Sequence, residues 1–168
     1  MSEHPENSDF FRKVLSHCST AVTVITAPGA ADGDGPVGMT VGSFLSVSLD
    51  PPLVAFLPAT SSSTWPRIRD AGKFCANVLT QDQMDLCTRF TRPVADRFAG
   101  VGYRMSDNGS PILDDCLAFV DCDIEAVHPA GDHVFVVGRV RELALEKESE
   151  PLLFFQGRYR ALLPLGEG

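Results

Sequence analysis

The run Gly38-Met39-Thr40-Val41-Gly42-Ser43-Phe44-Leu45-Ser46-Val47-Ser48 carries the strongest chemical signal in the chain. Glycines and small hydroxyl residues interrupt what otherwise reads as β-strand, so backbone N–H and C=O groups lie within reach of a flat ligand. A bulged strand packed closely on a neighbour has the same composition. A second signal is Ser61-Ser62-Ser63-Thr64 ahead of Trp65-Pro66. Hydroxyls and free N–H groups at a helix start hold a phosphate without an arginine cluster, or else simply cap the helix. The third is Gly131-Asp132-His133, where a histidine at the mouth of a hairpin can point into a cleft instead of serving the core. No G-x-S-x-G elbow, H-E-x-x-H pair or paired-carboxylate arrangement accompanies these residues. Chemistry carried by a bound cofactor therefore fits better than chemistry carried by side chains.

Elements must position these groups. Phe10, Phe11, Val14, Leu15 and Cys18 recur at helical spacing after Ser8 or Asp9 as cap, which predicts a short amphipathic helix. Ala21 to Thr26 reads as a strand ended by the Gly, Asp and Pro cluster up to Pro36. Val37 to Ser48 and Leu53 to Leu57 read as two strands around Asp50-Pro51-Pro52, where proline forces a turn. A short helix follows from Thr64 to near Gly72, then a strand from Phe74 to Leu79. Thr80 and Gln83 match a capping box for a helix reaching Phe90.

In Val120-Asp121-Cys122-Asp123-Ile124-Glu125-Ala126 apolar and acidic residues alternate, which predicts a strand with its acids on a solvated face. His128 to Asp132 reads as a turn, and His133 to Leu145 as a long strand with Gly138 at a bend or bulge. Short apolar pieces flank Gly157. About seven strands joined by turns, with only short helices between them, argue for a mainly β antiparallel Greek-key barrel and against a doubly wound parallel sheet, and the dinucleotide fingerprint G-x-G-x-x-G is read as absent.

The chain has 168 residues, 44% of them hydrophobic, which suits one domain over residues 1–168. Its net charge of -8 disfavours nucleic acid as a partner. The polar start, without an apolar stretch, and the absence of a membrane-length apolar run predict a cytoplasmic protein with no membrane association. Cys18, Cys75, Cys87, Cys116 and Cys122 are odd in number and scattered, as reduced core residues would be, and no metal site is expected.

Together these stretches reach a resemblance. Gly38-Met39-Thr40, the continuation Ser43-Phe44-Leu45-Ser46-Val47-Ser48-Leu49-Asp50-Pro51-Pro52-Leu53-Val54, then Ser63-Thr64, Asn77-Val78-Leu79, Arg97-Phe98, Gly131-Asp132-His133, Gly138-Arg139-Val140 and Tyr159 occur in this order. The pattern resembles the short-chain flavin reductases of two-component monooxygenase systems, especially those serving actinomycete natural-product and aromatic hydroxylases. The resemblance implies a split β-barrel homodimer with flavin at the subunit interface and hydride transfer from NADH or NADPH to FAD or FMN. Reduced flavin would then pass to a partner monooxygenase. It further implies that Met39, Thr40, Val41, Gly42 and Ser43 border the isoalloxazine and that Phe56, Leu57 and Pro58 underlie the ribityl chain. Ser62, Ser63 and Thr64 would hold the phosphate, and Phe90 and Thr91 would cover the outer end. Gly131, Asp132 and His133, with help from Tyr159, would meet the nicotinamide, His133 being the candidate catalytic residue. The alternative is a flavin- or haem-binding barrel used for storage, sensing or another oxidase reaction.

Overall fold

The computed structural model describes residues 8–31, 33–93 and 96–162. Helix α1 (Ser8–Leu15) precedes β1 (Thr20–Ala21), β2 (Thr23–Ala27), β3 (Val37–Val41), β4 (Leu45–Leu49) and β5 (Pro52–Phe56). Helix α2 (Trp65–Ala71), strand β6 (Lys73–Val78), a 3-10 turn at Gln81–Gln83 and helix α3 (Met84–Thr91) follow. The chain continues with β7 (Tyr103–Met105), β8 (Pro111–Leu113), β9 (Ala118–Ala130), β10 (His133–Leu145), β11 (Leu152–Phe155) and β12 (Arg158–Ala161). No helix among the described residues is long and apolar enough to cross a membrane.

Seven strands form one antiparallel sheet in the order β3-β2-β6-β9-β10-β5-β4. Its two edges, β3 and β4, are consecutive in sequence, with Gly42, Ser43 and Phe44 between them. A link that short reaches at most about 14 Å. Six strand spacings laid flat would part the edges by about 29 Å, so the sheet curls until its edges approach. This is the expected barrel, split between β3 and β4. Strands β1, β11 and β12 form a smaller sheet, and β7 and β8 pair alone.

The core inside the curl is aromatic. Phe56 meets Trp65 and Phe74 edge to face at centroid distances of 6.1 and 4.9 Å, and Ile25, Ile68 and Val136 are buried with them. Gly138 sits at a bulge between β9 and β10, as expected, and an added Cβ there would lie 2.5 Å from Phe74 Cζ. A second cluster under α3 holds Phe90, Phe98, Leu79, Leu113 and Leu152. The Thr80–Gln83 box starts the turn into α3, with Thr80 N–H donating to Gln83 Oε1 at 3.1 Å and Gln83 N–H to the Thr80 carbonyl at 3.0 Å.

Several expectations are corrected. Val37 to Ser48 is two strands on opposite edges, because Gly42-Ser43-Phe44 carries the chain across the split. His128 to Ala130 extend β9, so the turn is only Gly131 and Asp132, with Gly131 at φ +67° between the paired Ala130 and His133. The acids of β9 do not share a solvated face. Asp121 is fully buried beneath the 106–110 loop and accepts a bond from Ser106 Oγ at 2.8 Å. Finally, Gly33, Gly35 and Gly38 spell the letters G-x-G-x-x-G, but they lead into strand β3 and not into a helix, so no helix start is offered to a dinucleotide.

Candidate active site

The site begins with the free edge of β3, which pairs with β2 and has no ladder partner on its other side. The Gly38 carbonyl accepts a bond from Arg97 Nη1 at 2.7 Å, so Gly38 directs its backbone groups away from β2. By the alternation of an antiparallel ladder, Thr40 directs its N–H and C=O outward as well. These groups border a cleft of about 900 Å³ lined by Met39 to Ser43, Leu57 to Ala59, Asp132 and His133. That volume lies in the range of cofactor sites.

The opposite wall is tied down by backbone bonds. Thr60 N–H donates to the Asp132 carbonyl at 2.9 Å and Val134 N–H to the Pro58 carbonyl at 3.1 Å. The tight Gly131-Asp132 turn and the loop after β5 therefore move as one, which sets His133 beside Leu57 and Pro58. His133 Nδ1 lies 2.7 Å from Asp132 Oδ1, and that contact holds the Asp132 carboxyl below the usual range. The His133 side chain is 43% exposed, so the ring belongs to the cleft and not to the core. Ser43 Oγ accepts the Leu57 N–H at 3.0 Å and fixes the split between β3 and β4 against that same loop.

Sequence reasoning did not foresee the third wall. Helix α1 buries none of its residues, and Phe11, Arg12 and Leu15 face the cleft. An amphipathic helix whose apolar stripe is left unburied was the only available signal.

The phosphate candidates sit differently from expectation. Ser62 Oγ accepts the N–H groups of Thr64 and Trp65, both at 3.2 Å, so Ser62 caps α2. Ser63 and Thr64 line a separate pocket of about 400 Å³ beside Gly38, together with Arg67 and Arg97. Arg97 Nη1 donates to Thr64 Oγ1 at 2.9 Å. A pocket expected to work without arginine thus has two, and spacing could not reveal Arg97, which reaches Gly38 from 59 residues away.

Other expected residues lie apart from the main cleft. Phe56 and Phe90 are core side chains with no more than 1% exposure, and Phe90 packs on Phe98. Thr91 and Tyr159 line a small pocket of about 170 Å³ that adjoins the main cleft along Thr40, Val41 and Gly42. There Tyr159 Oη lies 3.1 Å from Cys87 Sγ, a bond that pushes the phenol up to about 12.

A curled antiparallel barrel whose outward-facing strand edge looks across a cleft at Leu57, Pro58 and His133 defines the class: a split barrel with its cleft on the open edge. The flavin reductase like domain matches residues 15–163, and the chain belongs to that family. It is 53% identical over 151 residues to a flavin reductase of Pseudomonas putida, covering 89% of this chain and 87% of that protein. It is 44% identical to the flavin-dependent monooxygenase reductase subunit HsaB of Rhodococcus jostii, covering 92% of this chain and 77% of HsaB. The solved Streptomyces globisporus NADH:FAD oxidoreductase SgcE6, in complex with NAD and FAD fragments, superposes with a TM-score of 0.91 at 29% identity, covering 99% of each chain.

Proposed function

We propose that this chain is an NAD(P)H:flavin oxidoreductase that reduces FAD or FMN and hands the diffusible reduced flavin to a separate monooxygenase. The observation that carries the reading is the main cleft, which sets the outward backbone of β3 opposite His133 at a separation fixed by the 57–60 loop. The naming of relatives such as HsaB as monooxygenase subunits supports the partner.

The residues present fit a flavin. Thr40 offers outward-facing backbone groups to the polar edge of a flat ring, Leu57 and Pro58 offer an apolar surface, and Ser63 and Thr64 line the pocket beside Gly38 that would receive a phosphate. Bound flavin supplies a two-electron acceptor for the hydride of the reduced nicotinamide. The chain's own task is to hold two rings face to face and exclude water, for which no acid or base is required. In this reading His133, held by Asp132, orients the nicotinamide, and α1 closes the side of the cleft. A single domain carries the whole site. The protein works as a homodimer, because the edge strand β4 leaves Leu45, Val47 and Leu49 exposed and α1 leaves Phe11, Val14 and Leu15 exposed. Four buried thiols and one exposed one, none of them in a disulfide, suit the cytoplasm.

The test is NADH and NADPH oxidation by purified protein with and without FAD, FMN or riboflavin. Oxidation is expected only when flavin is supplied. A monooxygenase placed across a membrane permeable to flavin alone should still hydroxylate its substrate. Oxidation independent of added flavin, in protein stripped of flavin, would overturn the reading.

A further inference from the structure

The arginines of this chain fall into two sets. Arg12, Arg69, Arg104, Arg139 and Arg141 each face a carboxylate in an ion pair. Among the described residues Arg67, Arg89, Arg92 and Arg97, with Arg158 and Arg160 on β12, make none, although the chain has a net charge of -8 and acids in excess. Arg67 lines two adjoining openings and Arg97 one of them, while Arg89 and Arg92 border a third beside Asp96. The pocket beside Ser63 and Thr64, about 400 Å³, shares Pro36, Arg67 and Asp96 with a second one of about 360 Å³ that ends on Phe98 and Tyr103. The one acid between them, Asp96, is engaged locally: its Oδ1 accepts the N–H groups of Phe98 and Ala99 at 2.8 and 3.1 Å.

Unneutralised guanidinium groups around a groove in an acidic protein mark a site for an anion with more than one charged centre. Arg97 is already oriented by Gly38 and Thr64, and Arg67 spends one amino group on the Gly35 carbonyl at 3.2 Å. Beyond them Tyr103, 38% exposed, is braced edge to face by Phe98 at 5.2 Å. A braced, exposed aromatic ring is a stacking platform for a base.

We propose that this track receives the adenosine diphosphate half of FAD, with the diphosphate against Arg67 and Arg97 and the adenine over Tyr103, so that the protein selects FAD over FMN. The inference rests on the flavin reductase reading and adds the identity of the flavin. A nicotinamide dinucleotide carries the same adenosine diphosphate, but the track opens beside Ser63 and Thr64 and not beside His133, which assigns it to the flavin.

The experiment measures Kd for FAD and FMN by flavin fluorescence, with KM for NADH and a thermal melt, on the wild type, Tyr103→Ala, Tyr103→Phe and Arg67→Ala. Tyr103→Ala should weaken FAD on the order of tenfold, the loss of one stacked base, and leave FMN nearly unchanged. Tyr103→Phe should keep FAD affinity. Arg67→Ala, on an exposed side chain of α2, should weaken FAD by roughly tenfold as well. Equal losses for FAD and FMN, or unchanged FAD affinity in both alanine variants, would overturn the proposal. So would a raised KM for NADH with FAD affinity intact, which gives the track to the nicotinamide dinucleotide. Equal wild-type affinity for FAD and FMN sinks this inference alone, whereas failure to bind any flavin sinks the functional reading beneath it.

Discussion

His133 holds its place by one side-chain contact, to Asp132, while the backbone on either side is fixed to the 57–60 loop. Removing the ring therefore disturbs little but the cleft. His133→Ala should raise KM for NADH or slow hydride transfer by up to about tenfold, the value of one hydrogen bond. Flavin affinity and Tm should stay close to wild type. A falling Tm together with lost flavin affinity would make the ring structural instead. At this scale the sequence was legible where function depends on contiguous backbone: Met39 to Ser43, Leu57, Pro58, Asp132 and His133 line one cleft. It did not show that the Phe56 and Phe90 rings enter cores, because a strand or helix pattern does not say which of two covered faces a ring takes. Arg97 was invisible as a neighbour of Gly38 because only the fold brings it there.

Among the elements, β9 departs furthest from expectation. Alternation correctly marked it as a strand, yet Asp121 is covered by the loop at Ser106 and Ser110, with Cys75 beside it and Glu142 opposite on β10. Burial pushes the Asp121 carboxyl above the usual range, and its Oδ1 has no hydrogen-bond partner among the described residues. A raised native pKa gives stability that is complete below the unfolded value, about 3.9, and is lost as pH rises through the native one. Asp121→Asn removes the ionisation while keeping an acceptor for Ser106. Its Tm relative to wild type should therefore be higher at pH 8 than at pH 4. A larger relative gain at pH 4 would refute this account. The capping box before α3 and the bulge at Gly138 were legible because their causes are local. The break at Gly42-Ser43-Phe44 was not, since it exists only because the sheet curls and its edges must be joined.

For the whole molecule, an unpaired edge strand and an uncovered helix stripe are surfaces that a monomer seldom leaves open. Sedimentation velocity should show a dimer, and Leu45→Glu with Val47→Glu should convert it to monomer and weaken flavin binding. A wild type that sediments as a monomer contradicts the dimer. The barrel itself was legible from its strands, turns and prolines, whereas the way α1 completes the cleft depends on tertiary placement. The most direct test of the central claim is anaerobic stopped-flow mixing of NADH with the protein and oxidised flavin, followed by the flavin's visible absorbance. One flavin should bleach per NADH consumed, and the colour should return when oxygen is admitted. Absence of bleaching with FAD, FMN and riboflavin, using either NADH or NADPH, would contradict it.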